Sequence, residues 1–261
     1  MIRFCTLFSS SGGNSIFISD GNTNLLIDAG VSAAKIVNSL ESIGVSPKEL
    51  DGILVTHEHS DHVSGIGVLT RKFGIPVYAN EATMEKILSS SSTPAAGCTR
   101  IITTGQSFKL RSAQIRSFKT PHDSADSVGY TVTMDERKFG IATDTGCITK
   151  PMLSALAGCE AVVIEANHDV DMLQKGAYPY ILKRRILSDN GHLSNENGAW
   201  LATQLALWGT KHITLGHLSD NNNTPSKAYS ASQKMLSDND FEVGKDVILQ
   251  VAMKSEITEI I

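Results

Sequence analysis

Thr56-His57-Glu58-His59-Ser60-Asp61-His62 crowds three imidazoles and two carboxylates into one short stretch. Packing gives no reason for such crowding, and the desolvation it costs needs a cation to offset it. His57 and His59 stand two apart, so an extended or tight-loop backbone points both the same way, where they can bind one metal through imidazole nitrogen. Asp61 and His62 follow at once, and a turn would direct them to a neighbouring position. Glu58 and Ser60 point away from the ligand face by the same alternation. One zinc takes three or four protein ligands, so further donors are expected from elsewhere in the chain.

Working outward, short apolar runs read as strands at Ile16–Ile18, Asn24–Asp28, Gly52–Thr56, Gln114–Phe118, Phe139–Thr143, Ala161–Glu165 and His212–Gly216. Helical periodicity appears over Ala33–Ile43, Val63–Phe73, Ala82–Leu88, Glu196–Leu207 and Ser226–Leu236, the last entered through Thr224-Pro225. The serine-rich stretch Ser89–Cys98 is a surface loop. Asp28, His57, His122, Asp144, Asn167-His168 and His217 all fall at or just beyond the carboxyl end of an apolar run. Ligands collect at that edge of an α/β sheet, so the six clusters are expected to converge on one site. His122 (in Thr120-Pro-His-Asp) and His217 (in Leu215-Gly-His-Leu) are the expected extra imidazoles. Asp144, with Gly146 permitting a tight turn, is the simplest carboxylate for two cations to share. Asp28 shapes the site without ligating.

The chain has 261 residues, 41% hydrophobic and 19% charged, with a formal charge of −4. That composition supplies a sizeable core and excludes a disordered chain or a globally basic nucleic-acid coat. No apolar run approaches the roughly 18 residues of a membrane span. The amino end shows no signal-peptide region, and Cys5, Cys98, Cys147 and Cys159 lack CxxC spacing. The expectation is one cytoplasmic α/β domain over residues 1–261.

His57-x-His59-x-Asp61-His62, with His122, Asp144 and His217 in that order, resembles the metallo-β-lactamase superfamily. The resemblance runs from the Asp28 segment to His217 and implies an αββα sandwich, two facing mixed sheets flanked by helices. It implies that His57, His59 and His122 hold a first metal, that Asp61, His62 and His217 hold a second, and that Asp144 bridges them. Ser9–Ser15, Glu165-Ala-Asn-His-Asp169, Gly191-His-Leu-Ser-Asn195 and His217–Pro225 resemble the YycJ/WalJ-type branch. That branch implies 5′-to-3′ exonuclease action on double-stranded DNA.

Two divalent ions are therefore expected, zinc or manganese first and iron next, since imidazole and carboxylate suit all three. A carboxylate-bridged pair can hold a bridging hydroxide that attacks a phosphodiester in line, with Asp61 orienting it. His192 is the expected proton donor to the leaving oxygen. His168 and Asn14, the latter in a glycine-rich turn, are expected at the substrate. Lys183-Arg184-Arg185 is the strongest basic triplet, and Arg184 and Arg185 are the expected contacts to a nucleic-acid backbone, DNA being favoured. Two alternatives remain: a hydrolase of a small phosphodiester or thioester, and a non-catalytic regulatory scaffold that retains the fold.

Overall fold

The computed structural model describes residues 1–261. Along the chain run β1 (Arg3–Phe8), β2 (Ser15–Ser19), β3 (Asn24–Ile27), α1 (Ala33–Ser42), β4 (Gly52–Leu54), α2 (Ser60–Val63), α3 (Ile66–Phe73), β5 (Val77–Asn80), α4 (Glu81–Leu88) and β6 (Thr99–Ile102). There follow β7 (Ser107–Leu110), β8 (Ala113–Lys119), β9 (Val128–Met134), β10 (Arg137–Ala142), α5 (Lys150–Leu156), β11 (Ala161–Glu165), α6 (Val170–Lys175) and α7 (Tyr180–Ile186). The chain closes with α8 (Asn195–Leu207), β12 (His212–Gly216), α9 (Pro225–Ser237), β13 (Ile248–Val251) and β14 (Thr258–Glu259).

These strands form two mixed seven-stranded sheets, ordered β14-β1-β2-β3-β4-β5-β6 and β13-β12-β11-β10-β9-β8-β7, with helices flanking them. By contacts the chain divides into two compact units. One is Met1–Ser117 with Ser124–Val128 and Met253–Ile261; the other is Phe118–Asp123 with Gly129–Ala252. Every strand expected from the sequence is present.

In the first unit β3, β4, β5 and β6 run parallel, so their carboxyl ends share one edge. The apolar residues of β3 and β4 are wholly buried, as expected of parallel strands covered on both faces. Ile36 and Leu40 of α1 join Leu26, Ile53 and Val77 in one apolar cluster. Asn80 caps α4 by accepting from the Thr83 amide, and Gly74 ends α3 in the left-handed conformation that glycine tolerates best. The helix expected from Val63 is broken at Gly65, where a Cβ would lie 2.6 Å from the Val31 carbonyl oxygen.

In the second unit β10, β11, β12 and β13 run parallel in register, Ala161 facing His212 and Glu165 facing Gly216. Val162, Ile164, Leu201, Leu205, Ile213 and Leu215 build its core. Ser194 and Thr224 cap α8 and α9.

The strand ends are held by backbone, and one glycine is indispensable there. Gly30 follows β3, and a Cβ on it would sit 1.6 Å from the Asp61 carbonyl oxygen and 2.6 Å from the Asn14 amide nitrogen. Gly30→Ala must therefore push the Asp61 loop away. Overpacking of this kind costs roughly 1–3 kcal/mol, so the urea midpoint should fall with an unchanged m value. A wild-type midpoint would show that the loop yields freely.

Candidate metal centre

The first unit presents His57, His59, Asp61 and His62 immediately after β4 and in α2. Asp28, buried at the end of β3, organises them. Its Oδ1 accepts from the Thr56 amide at 2.8 Å, and its Oδ2 accepts from the Thr56 hydroxyl at 2.8 Å and from His62 Nδ1 at 2.7 Å. Because Thr56 Oγ1 spends its proton on Asp28, it accepts from His57 Nδ1 at 3.0 Å. Both histidines are thereby held as the Nδ1–H tautomer, which turns Nε2 into a lone-pair donor. His57 and His59 rings lie 4.6 Å apart between centroids and His57 and His62 rings 4.2 Å apart. His62 Nε2 stands 3.4 Å from Asp61 Oδ2.

The second unit repeats the device. Glu165, the last residue of β11, is fully buried, and its Oε1 accepts from Nδ1 of both His192 and His217 at 2.8 Å. Its Oε2 accepts from the Thr145 amide at 2.9 Å and the Leu193 amide at 3.3 Å. Burial alone would raise this carboxyl, but the His192 charge and the two imidazole hydrogen bonds overcome it and hold the group at about 2. His122 Nδ1 donates to the Gly191 carbonyl at 3.1 Å. Burial pushes the His122 imidazole down, partly opposed by Asp144, and a neutral ring is the form that ligates. Asp144 Oδ1 lies 3.4 Å from His217 Nε2 and 3.8 Å from His122 Nε2. Those gaps are long for hydrogen bonds. They suit two donors that each reach about 2.0–2.2 Å to a shared cation.

Three of these residues occupy positive φ without being glycine: Asp28 at 62°, Asp144 at 55° and His217 at 56°. Such conformations cost on the order of 1 kcal/mol or more each and collect where function over-determines the backbone. Asp28 and His217 stand directly after β3 and β12 and Asp144 one residue further beyond β10, where the chain must reverse to aim a side chain along the sheet edge.

Each residue singled out in the sequence has a definite place. His57, His59, Asp61 and His62 come together in the first unit; His122, Asp144, His192 and His217 come together in the second. The donor set fits divalent cations. Asn14 lies beneath Asp61 and His62: its amide nitrogen is 3.1 Å from His62 Nε2, and its backbone N–H donates to the Asp61 carbonyl at 2.8 Å. His168 is only 1% exposed, beneath the surface rather than on it. Arg185 is ion-paired with Asp123, whereas Arg184 projects from α7 and is exposed. Asn222 and Asn223 are buried, and Asn223 and Asn195 exchange amide hydrogen bonds that fix the loop after His217. Glu165 is the functional residue that strand-end reasoning missed. Its signal was a carboxylate closing the apolar run Ala161-Val-Val-Ile, a burial that only paired donors make tolerable.

A model of the beta-lactamase superfamily domain matches residues 23–217. Exodeoxyribonuclease WalJ of Streptococcus pneumoniae serotype 2 (strain D39 / NCTC 7466) is 39% identical over 246 residues, covering 94% of this chain and 91% of that protein. The chain belongs to the metallo-β-lactamase superfamily, in its YycJ/WalJ-type branch. Exodeoxyribonuclease YycJ of Bacillus anthracis is 38% identical, covering 94% of the chain and 92% of the relative. The crystal structure of the metallo-beta-lactamase fold protein YhfI from Bacillus subtilis superposes with a TM-score of 0.74 at 16% identity, covering 99% of each chain, and so shares the superfamily fold.

His168 carries a pH signature of its own. Neither ring nitrogen has a hydrogen-bond partner, and burial pushes the imidazole down to about 4, partly opposed by the Glu165 charge. Below about pH 6.5 the unfolded chain takes up a proton that the native ring refuses, so this contribution to stability is lost as pH falls toward 4. Across that window the difference in unfolding free energy between wild type and His168→Gln should shrink by roughly 3 kcal/mol. Urea titrations at several pH values measure it, and a pH-independent difference would contradict the assignment.

Proposed function

We propose that this protein is a dinuclear metal-dependent phosphodiesterase acting as a DNA exonuclease in the cytoplasm, with the two units working as one hydrolase domain. The observation that carries the reading is the anchoring of four imidazoles through Nδ1. His57 is held by Thr56, His62 by Asp28, His217 by Glu165 and His122 by the Gly191 carbonyl. Imidazoles fixed in this way present Nε2 as ligands of matched geometry. On this reading His57, His59 and His122 hold one ion, Asp61, His62 and His217 hold the other, and Asp144 bridges. Zinc or manganese suits these donors best, with iron next. Kinship to two proteins named exodeoxyribonucleases supports the substrate class. The four cysteines are free thiols, in keeping with a reducing compartment. No helix is long and apolar enough to cross a membrane.

The bound ions supply water activation near neutral pH and Lewis-acid neutralisation of charge on the phosphoryl oxygens. The chain supplies the rest. Asp61, 22% exposed at the side chain beside a fully buried His62, accepts a hydrogen bond from the attacking water and aims it at phosphorus. His192 is 15% exposed at the side chain while His217 beside it is 2% exposed, so His192 is the imidazole that reaches a substrate. Glu165 Oε1 steadies the His192 imidazolium at Nδ1, and Nε2 then gives its proton to the leaving oxygen. Asn14 positions Asp61 and His62, and His168, buried after β11, holds the start of α8 through its carbonyl, which accepts from the Asn195 amide at 2.8 Å. Arg184 is the cation available to a backbone phosphate, since Arg185 is engaged by Asp123.

A non-catalytic scaffold is the weaker reading, because it gains nothing from burying Asp28 and Glu165 against paired imidazoles. Small phosphodiesters remain the competing substrate class, and the experiment separates the two. Wild-type protein should shorten end-labelled duplex DNA processively, with activity abolished by chelator and restored by zinc or manganese. His192→Gln should lower kcat about 10²–10⁴-fold with metal content retained. Arg184→Ala should weaken DNA binding and reduce the slope of log K against log[salt] by about one. Turnover of a small phosphodiester without any loss of DNA would overturn the nuclease assignment.

A further inference from the structure

Helix α7 carries no histidine, cysteine or carboxylate, yet it presents a distinctive surface. Tyr180 and Ile181 open it, 73% and 82% exposed, and Lys183, Arg184 and Arg185 fill its last turn. Tyr180, Ile181, Arg184 and Arg185 line a shallow cavity of about 300 Å³. The Arg184 guanidinium lies over the Tyr180 ring, 6.0 Å from its centroid, so a flat cation and a flat phenol stand together on an open face. Apart from that guanidinium at one side of the ring, Tyr180 and Ile181 stand open to solvent.

The helix is also bolted to the catalytic loops. The His192 amide donates to the Ile186 carbonyl at 3.0 Å, so the turn that carries the proton donor begins on the last residue of α7. Gly191 has no room for a side chain, because a Cβ would lie 2.2 Å from the Ile186 carbonyl oxygen and 2.3 Å from that of Arg185. Arg185 pairs with Asp123, the residue after His122, and the Asp123 amide donates to the Asn190 carbonyl at 3.0 Å. His122 itself donates from Nδ1 to the Gly191 carbonyl. Any strand seated on α7 is therefore held in fixed register with His122 and His192.

We propose that Tyr180, Ile181 and Arg184 form a stacking seat for one unpaired nucleobase of the substrate strand, flanking the phosphate that is cut, with Arg184 holding the adjoining backbone phosphate. The proposal rests on the nuclease reading above and adds a base-binding subsite to it. An aromatic ring bordered by an aliphatic side chain and an arginine is the combination that takes a base face without reading its sequence. Charge selects the occupant: with Arg185 paired to Asp123, Lys183 and Arg184 remain as adjacent cations that favour a polyanion. A second copy of this chain would bring two such pairs together and repel. The seat explains how an exonuclease engages a frayed end: the terminal base leaves the duplex stack and finds a replacement on Tyr180.

The test uses a short DNA duplex with 2-aminopurine in a one-nucleotide 5′ overhang, with chelated protein for binding and metal-loaded protein for turnover. Wild type should change the 2-aminopurine emission on binding, Tyr180→Phe should keep that change, and Tyr180→Ala should lose it. Base–aromatic stacking energies correspond to an increase in KM of roughly fivefold to a hundredfold in Tyr180→Ala. Tyr180 is exposed, so its truncation strips no core. Duplex degradation by wild type with equal KM and equal emission in Tyr180→Ala would overturn the seat and leave the nuclease reading standing. Hydrolysis of a small phosphodiester by a wild type that neither binds nor degrades the duplex would overturn the nuclease reading itself. A wild-type dimer that Tyr180→Ala makes monomeric, or capture by anionic vesicles that the variant loses, would assign the face to another occupant and overturn the proposal.

Discussion

Two buried carboxylates hold this structure's chemistry in place. Asp28 and Glu165 each sit at the end of a parallel strand, shielded from water, and each accepts the Nδ1 proton of a site histidine. An isolated carboxylate in such a position would cost several kcal/mol. Here backbone amides take one oxygen of each, from Thr56 on Asp28 and from Thr145 and Leu193 on Glu165, while imidazole takes the other. The arrangement serves each partner. The carboxylate is satisfied, and the ring is locked in tautomer and orientation with Nε2 directed toward a ligand. Removing either acid would leave free rotors where the chemistry needs fixed donors.

Strain and packing at the strand ends serve the same purpose. Asp28, Asp144 and His217 accept left-handed backbone, and Gly30 and Gly191 accept contacts no other residue could. Neither device stabilises the fold locally. Both bring loops close enough that side chains from different strands work within a few ångströms, and the apolar clusters beneath the sheets absorb the cost. Helix α7 extends this economy outward, because its last carbonyls are the surface against which Gly191 and His192 pack.

Much of this was legible in the sequence, and the omissions have physical causes. Central parallel strands are buried on both faces, so β3, β4, β10, β11 and β12 announce themselves as apolar runs. The ligands announce themselves by following those runs. Glu165 escaped although it closes β11: its partners His192 and His217 lie 27 and 52 residues away in sequence, and only the fold brings them to it. The same reasoning cannot tell which way a loop side chain turns, and His168 turns inward. Arg185 was expected at a backbone phosphate, but its partner Asp123 lies 62 residues away in sequence and only the fold brings them together. Helix α7 gave no periodic signal because its apolar residues face both ways: Ile186 is buried while Ile181 is among the most exposed apolar side chains.

The central claim is that seven side chains from separated strand ends enclose a pair of cations. Anomalous diffraction from crystals of the metal-loaded protein, collected at the absorption edge of the bound metal, tests it most directly. The account predicts two peaks about 3.5–4 Å apart, one among His57, His59 and His122, the other among Asp61, His62 and His217, with Asp144 between them. A single peak, or peaks coordinated by other residues, would contradict it.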